Sequence, residues 1–236
     1  MYSKIRIKEL RPLNLEGGYL IDGFPSMGFS SVIATESMIH TSQFKLAGII
    51  DSDIFPPISL IKDGKPNYPT RIFVNDELKV AAFLSHLALD ASLHRNVAKK
   101  MITWAKEKKI SLIISSISVK SSDKNEEIIA VGSTENATKK IKDAGLKVLE
   151  FGTIPGIPGM LLNEGSITQQ DVIVILFHSE GTGPDFRSSA KLCMAITQLI
   201  PGASCDIPAL QAEAEKVEQV IKKDLEETKH TDSMYR

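Results

Sequence analysis

Short apolar runs alternate with amphipathic segments along this chain, and the alternation predicts an α/β fold with a mixed or parallel sheet. The predicted strands are IRIKEL, GYLID, FKLAGIID, LKVAAFL, SLIISSI, IIAVGS, LKVLEF and DVIVILFH. SLIISSI and DVIVILFH are nearly continuous apolar runs, as strands buried on both faces require. A further pair of strands is predicted within SLIKDGKPNYPTRIFV, where Asp63 and Gly64 favour a hairpin turn.

Between these runs, apolar residues recur at the three- to four-residue spacing of helices. The predicted helices run through SSVIATESMIH, from about Ser92 to Lys108, through ENATKKIKDAG and through PDFRSSAKLCMAITQLI. In the second of these, Leu93, Val97, Met101 and Trp104 form one apolar stripe, which we expect to pack in the core.

A long last helix is predicted from Asp206, which can cap it, with Pro208 in its first turn. No linker or repeat divides the chain. We therefore expect one domain over residues 1–229 and a flexible tail over residues 230–236.

The overall charge and apolar content restrict the classes of function. The net charge of the 236 residues is −1, which argues against nucleic acid as a main partner. No stretch reaches the roughly 18 apolar residues of a membrane span, and MYSKIRIKEL does not resemble a signal peptide. A soluble, cytoplasmic protein without a membrane partner is expected. Cys193 and Cys205 lie far from any CxxC spacing, and Cys193 is expected to be a small core residue.

Three glycine-rich turns are the candidate ligand sites, because such turns follow strands where α/β proteins often bind ligands. In the first, DGFPSMGFSS, Gly23 and Gly28 have the spacing of a phosphate-binding loop, but Phe29 stands where that loop has its lysine. The turn is therefore either a structural strand-to-helix connection or a backbone nest that holds an anion.

The second turn, GTIPGIPGM, is expected to be a rigid surface loop, because its prolines lack the amide donors that a phosphate needs. The third turn, HSEGTGPDFR, contains Gly181, Gly183 and Asp185. These residues could form part of a ligand pocket, or Asp185 could serve as a favourable acidic residue at the start of the next helix.

Elsewhere the candidate chemistry is sparse. The histidines lack metal-binding spacing, and no G-x-S-x-G nucleophile motif is present. We therefore expect no catalytic residues, no metal site and no cofactor, and we expect that the protein is not an enzyme.

Several segments together carry a resemblance to a known family. GFPSMG, DIFPP, DGKPNYP, ITWAKEKKISLIIS, GTIPGIPGMLL and PDFRSSAKLCMAITQLIPGASCDIPALQAEAEKVEQ follow one another along the chain. This order is similar to that of the proteasome assembly chaperone 2 family, which includes archaeal chaperone and activator homologues. The stretch SSISVKSSDKNEE departs from the family, whose members tend to have glycines after the central strand.

The resemblance implies a three-layer α/β/α sandwich with a mixed central sheet, a layout similar to nucleoside phosphorylases, and no established catalytic residues. It also implies a homo-oligomer that binds α subunits of the proteasome core particle. Some members end in a hydrophobic residue, a tyrosine and any residue, and Met234, Tyr235 and Arg236 match that ending. Met234 would be the apolar anchor, Tyr235 would fill a slot, and the carboxylate of Arg236 would pair with a lysine.

Two functional hypotheses remain at this point. In the first, a non-enzymatic homo-oligomer binds the proteasome α-ring through these tails, either as an assembly chaperone or as an ATP-independent activator. In the second, the phosphorylase-like layout and the glycine turns serve a nucleoside- or phosphate-using enzyme. The number of subunits is left open by the sequence.

Overall fold

The computed structural model describes residues 5–25, 29–119, 127–179 and 183–215. Its main feature is a nine-stranded sheet with the order β1-β3-β6-β7-β2-β8-β11-β9-β10. The strands of this sheet are β1 (Arg6–Glu9), β2 (Tyr19–Gly23), β3 (Lys45–Asp51), β6 (Thr70–Asn75), β7 (Val80–Ser85), β8 (Leu112–Val119), β9 (Ile129–Gly132), β10 (Lys147–Val148) and β11 (Val172–His178). A separate hairpin consists of β4 (Leu60–Lys62) and β5 (Lys65–Asn67).

The strand directions make this a mixed sheet. The four central strands β7, β2, β8 and β11 are parallel to one another. On one side β7 pairs antiparallel with β6, β6 with β3, and β3 with β1. On the other side β11 pairs antiparallel with β9, and β9 pairs parallel with β10.

Helices cover both faces of the sheet. They are α1 (Ser30–Thr41), α2 (Ala91–Glu107), α3 (Glu135–Asp143), α4 (Gly156–Thr168), α5 (Phe186–Leu199) and the described part of α6, residues 207–215. Helices α2 and α4 pack on one face and enclose one apolar cluster. Helices α1, α3 and α5 enclose a second cluster on the other face. The predicted α/β/α sandwich with a mixed sheet is confirmed.

The apolar stripe of α2 lies in the core, as predicted. Leu93, Val97, Met101 and Trp104 are all buried. The Trp104 ring stacks at a tilt against Phe83 of β7, with ring centroids 4.9 Å apart, and its indole N–H donates to Glu9 Oε1 at 2.8 Å. This tryptophan therefore packs α2 against the sheet and links it to the edge strand β1.

Two local predictions from turn and cap chemistry are confirmed. Asp63 and Gly64 both adopt positive φ between β4 and β5, which is the backbone conformation of a two-residue hairpin turn. Asp206 accepts a hydrogen bond from the backbone N–H of Ala209 at 3.0 Å, so it caps the first turn of α6.

The expectation of a surface loop at GTIPGIPGM is wrong for most of that segment, because α4 begins at Gly156. Pro158 is the third residue of α4, where a helix has no internal acceptor for the backbone N–H, so its missing donor costs nothing. Gly159 is needed because a Cβ at this position would lie 1.9 Å from the carbonyl oxygen of Ile154. The residues that indicated a loop thus form the first turn of a helix packed against α2.

Cys193 lies in the core of α5, as expected, but the sequence analysis did not predict its partner. A disulfide joins it to Cys205, with the two Cα atoms 6.3 Å apart. The disulfide ties α5 to the turn that leads into α6. Within the part of the chain that the structure describes, no helix is both long and apolar enough to cross a membrane.

We predict that Phe83→Ala lowers the free energy of unfolding by about 3–5 kcal/mol, because it removes a fully buried ring from the core. Phe151→Ala is the matched control, since that ring is 89% exposed, and its effect should stay within about 0.5 kcal/mol. Urea denaturation followed by circular dichroism measures both. Equal losses in the two variants would contradict this description of the core.

Candidate functional site

The carboxyl ends of the four central parallel strands define one edge of the sheet, called here the carboxyl edge. Helices α1, α2, α4 and α5 each begin at or near this edge and run back along the sheet. In open α/β sheets, ligands usually bind outside the carboxyl ends of the strands. The first and third glycine-rich turns of the sequence both lie here, after β2 and after β11.

The first turn is shaped by close packing. A Cβ at Gly23 would lie 2.8 Å from the carbonyl oxygen of Phe83 and 2.8 Å from the side chain of Thr35 in α1. Only glycine therefore allows α1 to approach the end of β2 this closely. Gly28 lies outside the described residues.

In the third turn, Asp185 is the N-cap of α5. Its Oδ1 accepts from the backbone N–H of Ser188 at 2.9 Å, and its Oδ2 accepts from the Ser179 hydroxyl at 2.7 Å. Gly183 has a φ of +155°, and no atom lies within 4 Å of a Cβ built on it. Gly181 lies outside the described residues. Asp185 thus has a structural role in capping α5.

The structure brings these two turns together. The hydroxyl of Ser30, the first residue of α1, donates to the backbone carbonyl of Asp185 at 3.4 Å. Ser31 and Ser116 of β8 are joined by a hydroxyl–hydroxyl bond of 2.8 Å. Neutral hydrogen bonds therefore connect α1, β8 and the start of α5. A ligand pocket formed by Gly23, Gly28, Gly181, Gly183 and Asp185 remains a prediction.

The most unusual group at the carboxyl edge is Asp22, the fourth residue of β2, which the sequence analysis did not single out. Asp22 is 5% exposed, and its carboxylate accepts from the Ser115 hydroxyl at 2.6 Å and from the Phe24 backbone N–H at 3.1 Å. Burial raises the pKa of Asp22 to about 6, although these two hydrogen bonds and the charge of His94 act in the opposite direction. The sequence contains one signal for this buried carboxylate, because Asp22 directly follows the apolar residues Leu20 and Ile21 of the predicted strand GYLID.

The surroundings of Asp22 give it hydrogen-bond partners within the fold. Both oxygens of Asp22 accept hydrogen bonds within the fold, and the bond from Ser115 joins β2 to β8. Among the residues that the structure describes, no group of three or more His, Cys, Asp or Glu side chains is placed to hold a metal ion.

The three residues of the predicted proteasome-binding ending, Met234, Tyr235 and Arg236, lie outside the described residues. The last described residues belong to α6. Leu210 and Ala214 are buried there, so this part of α6 packs against the body of the protein.

Both the sequence and the fold of this chain are similar to those of known proteins. The sequence model of the PAC2 family matches residues 20–225. The chain is similar to a crystal structure of Pyrococcus furiosus PbaA, an archaeal homolog of proteasome-assembly chaperone, with a TM-score of 0.84 and 25% identity over 95% of this chain and 94% of that one. It is also similar to Pyrococcus furiosus PbaB, an archaeal proteasome activator, with a TM-score of 0.76 and 21% identity over 93% and 98% of the two chains.

A relative among curated sequences is an uncharacterized protein of Methanocaldococcus jannaschii. It is 23% identical over 222 residues, which make up 94% of this chain and 91% of the relative.

We predict that Asp22→Asn changes the pH dependence of stability. Because folding raises the pKa of Asp22, its contribution to the stability of the wild type is fully present below about pH 4 and is lost as the pH rises through about 6. Asparagine does not titrate. The stability of the wild type relative to Asp22→Asn should therefore fall by up to about 3 kcal/mol between pH 4 and pH 7.

Asp143→Asn, at an exposed position of α3, is the control. Urea denaturation at several pH values measures all three proteins. A difference between wild type and Asp22→Asn that does not vary with pH would contradict the raised pKa.

Proposed function

The chain belongs to the PAC2 family, and we propose that it is a non-enzymatic homo-oligomer that binds α subunits of the proteasome core particle. The observation that carries the proposal is the likeness to Pyrococcus furiosus PbaA, which extends over 95% of this chain at 25% identity. That protein is a homolog of proteasome-assembly chaperone. The activator PbaB shares the fold at 21% identity and supports the fold alone. A cytoplasmic location is part of the proposal.

The contact would be made by the C-terminal residues Met234, Tyr235 and Arg236. Met234 and Tyr235 would enter an apolar slot between neighbouring α subunits, and the carboxylate of Arg236 would pair with a lysine there. The proposal takes Arg236 as the last residue of the protein, and mass spectrometry of the intact protein checks this first.

The energetics of such a tail explain why an oligomer is part of the proposal. Burying Met234 and Tyr235 contributes about 1.5–3 kcal/mol each, and a charge-assisted bond to the carboxylate about 1.5–3 kcal/mol more. Ordering each tail residue opposes binding by about 1–2 kcal/mol. Within these ranges we expect one tail to bind with a roughly millimolar dissociation constant, about −4 kcal/mol. Several tails on one oligomer would raise the avidity by about 10²–10⁴.

Two roles are compatible with this contact, and they differ in the particle that is bound. An assembly chaperone would prefer free α subunits or α-rings. An ATP-independent activator would bind the mature core particle and open it to peptide substrates. Pull-downs with α-rings and with mature particles, together with a peptidase assay, separate the two roles.

We predict that Tyr235→Ala, or deletion of residues 234–236, abolishes binding to α-rings and core particles and leaves the fold intact. One residue added after Arg236 should have the same effect, because it moves the carboxylate. A pull-down and circular dichroism measure binding and folding.

Tyr68→Ala is the matched control, since Tyr68 is 53% exposed in the body of the protein. It should bind like the wild type. Undiminished binding by the truncated protein would refute the role of the tail, and loss of binding by all variants alike would point to a different contact surface.

A further inference from the structure

The connection between β3 and β6 carries apolar side chains that face solvent. It contains the β4–β5 hairpin, in which Ile61 is 69% exposed, and the preceding Ile58 is 50% exposed. Among the described elements, β4 and β5 pack mainly against each other. An isolated two-stranded hairpin is at best marginally stable in water. A contact that covers Ile61 would therefore stabilise the hairpin and remove apolar surface from water.

The tip of this hairpin, residues 61–66, is also positively charged. Ile61 pairs with Pro66, and Lys62 lies directly opposite Lys65. Both lysines are exposed, and neither forms a salt bridge within the described part of the chain. Two lysines and Asp63 in the turn give the tip a net charge of +1. Like charges directly opposite each other are unfavourable, so the tip favours a partner that is apolar and acidic.

A cleft with these two properties lies at the other end of the sheet, between β9, the segment after β10 and α4. Its volume is about 240 Å³, and its apolar lining includes Val131, Leu149, Ile154 and Leu162. Sites for small molecules usually have volumes of about 300–1,000 Å³. A side chain from another protein surface therefore matches this cleft better than a typical small-molecule ligand does.

The cleft carries a negative charge. Glu150 is the one ionisable residue among the described residues that line it. Glu150 is exposed and forms no salt bridge within the described ranges. The cleft thus combines an apolar lining with a carboxylate, and the hairpin tip combines an exposed isoleucine with two lysines. The two surfaces are complementary in both polarity and charge.

The hairpin cannot reach the cleft of its own chain. The hairpin is flanked by β3 and β6, and the cleft lies beside β9 and β10. Strands β6 and β9 are five strand spacings apart in the sheet, which is about 24 Å, whereas a three-residue hairpin strand is only about 10 Å long. Only the hairpin of another copy could therefore fill the cleft. Such a contact joins two different surfaces, so it repeats head to tail and can close into a ring.

We propose that the hairpin tip of one copy of this chain docks into the cleft of the next copy. Ile61 enters the apolar part of the cleft, and Lys62 and Lys65 approach Glu150. This inference rests on the homo-oligomer of the proposed function and names the surfaces that hold it together. It involves no residue of the C-terminal ending, so it can be tested without the proteasome.

Cross-linking of the full chain tests the contact directly. In the double variant Ile61→Cys with Asn163→Cys, one cysteine lies on the hairpin tip and the other on the α4 side of the cleft. A short bismaleimide should join the two positions between copies and give a ladder of covalent oligomers, with the linked peptides identified by mass spectrometry. Ile61→Cys with Met194→Cys is the control, since Met194 is 45% exposed on α5 and lies outside the cleft, and it should give no ladder.

Ile61→Ser should raise the dissociation constant of the oligomer about 10- to 100-fold, measured by analytical ultracentrifugation, because it removes the apolar group that fills the cleft. Ile167→Ser is the matched control, since Ile167 is 79% exposed on α4 and lies outside the cleft, and it should change the constant less than about twofold. The cross-linking result keeps the proposal testable if Ile61→Ser does not fold.

The outcomes separate this inference from the proposed function. A monomeric wild type would overturn both the inference and the homo-oligomer of the proposed function. An oligomeric wild type without the ladder, or with equal effects of Ile61→Ser and Ile167→Ser, would overturn the inference alone. An unchanged oligomer together with lost binding to α-rings in Ile61→Ser would also overturn it, and would assign the hairpin to the contact with the proteasome.

Discussion

Burial of the four central parallel strands on both faces is the constraint on which the rest of this structure depends. Strands β7, β2, β8 and β11 are buried along nearly their whole length. Parallel strands of this kind must be connected by crossovers, and the crossover helices cover both faces. The starts of four helices consequently come together at the carboxyl edge, and polar side chains there must find partners within the fold.

This constraint explains the hydrogen bonds made by Asp22, Ser31, Ser116 and Asp185. Each is a polar residue near the carboxyl edge, and each has a hydrogen-bond partner in a neighbouring segment of the chain. Gly23 has a different role at the same edge, because it removes the side chain that would keep α1 away from the sheet. The carboxyl edge is therefore a tightly packed connection between layers.

The sequence was sufficient to predict the elements whose signal is local. The apolar runs of the buried strands, the Asp63–Gly64 turn, the cap at Asp206 and the stripe of α2 each depend on residues within a few positions of one another. The sequence was insufficient to predict α4, because the glycines and prolines of its first turn are also typical of a loop. Only the structure shows that Gly159 lies close against the backbone carbonyl of Ile154. The burial of Asp22 depends on the order of the strands, and the pairing of Cys193 with Cys205 depends on the path of the turn after α5. No local pattern contains either of these.

The two outer strands of the sheet limit how copies of this chain can associate. Strand β1 is four residues long and carries Arg6, Lys8 and Glu9, and β10 is only two residues long. Short and charged edge strands resist pairing with the edge of another sheet. An oligomer of this protein is therefore expected to be held by side chains of helices and loops, with each sheet ending inside its own subunit. Such contacts leave the backbone of every subunit independent, so subunits could exchange between assemblies without breaking a shared sheet.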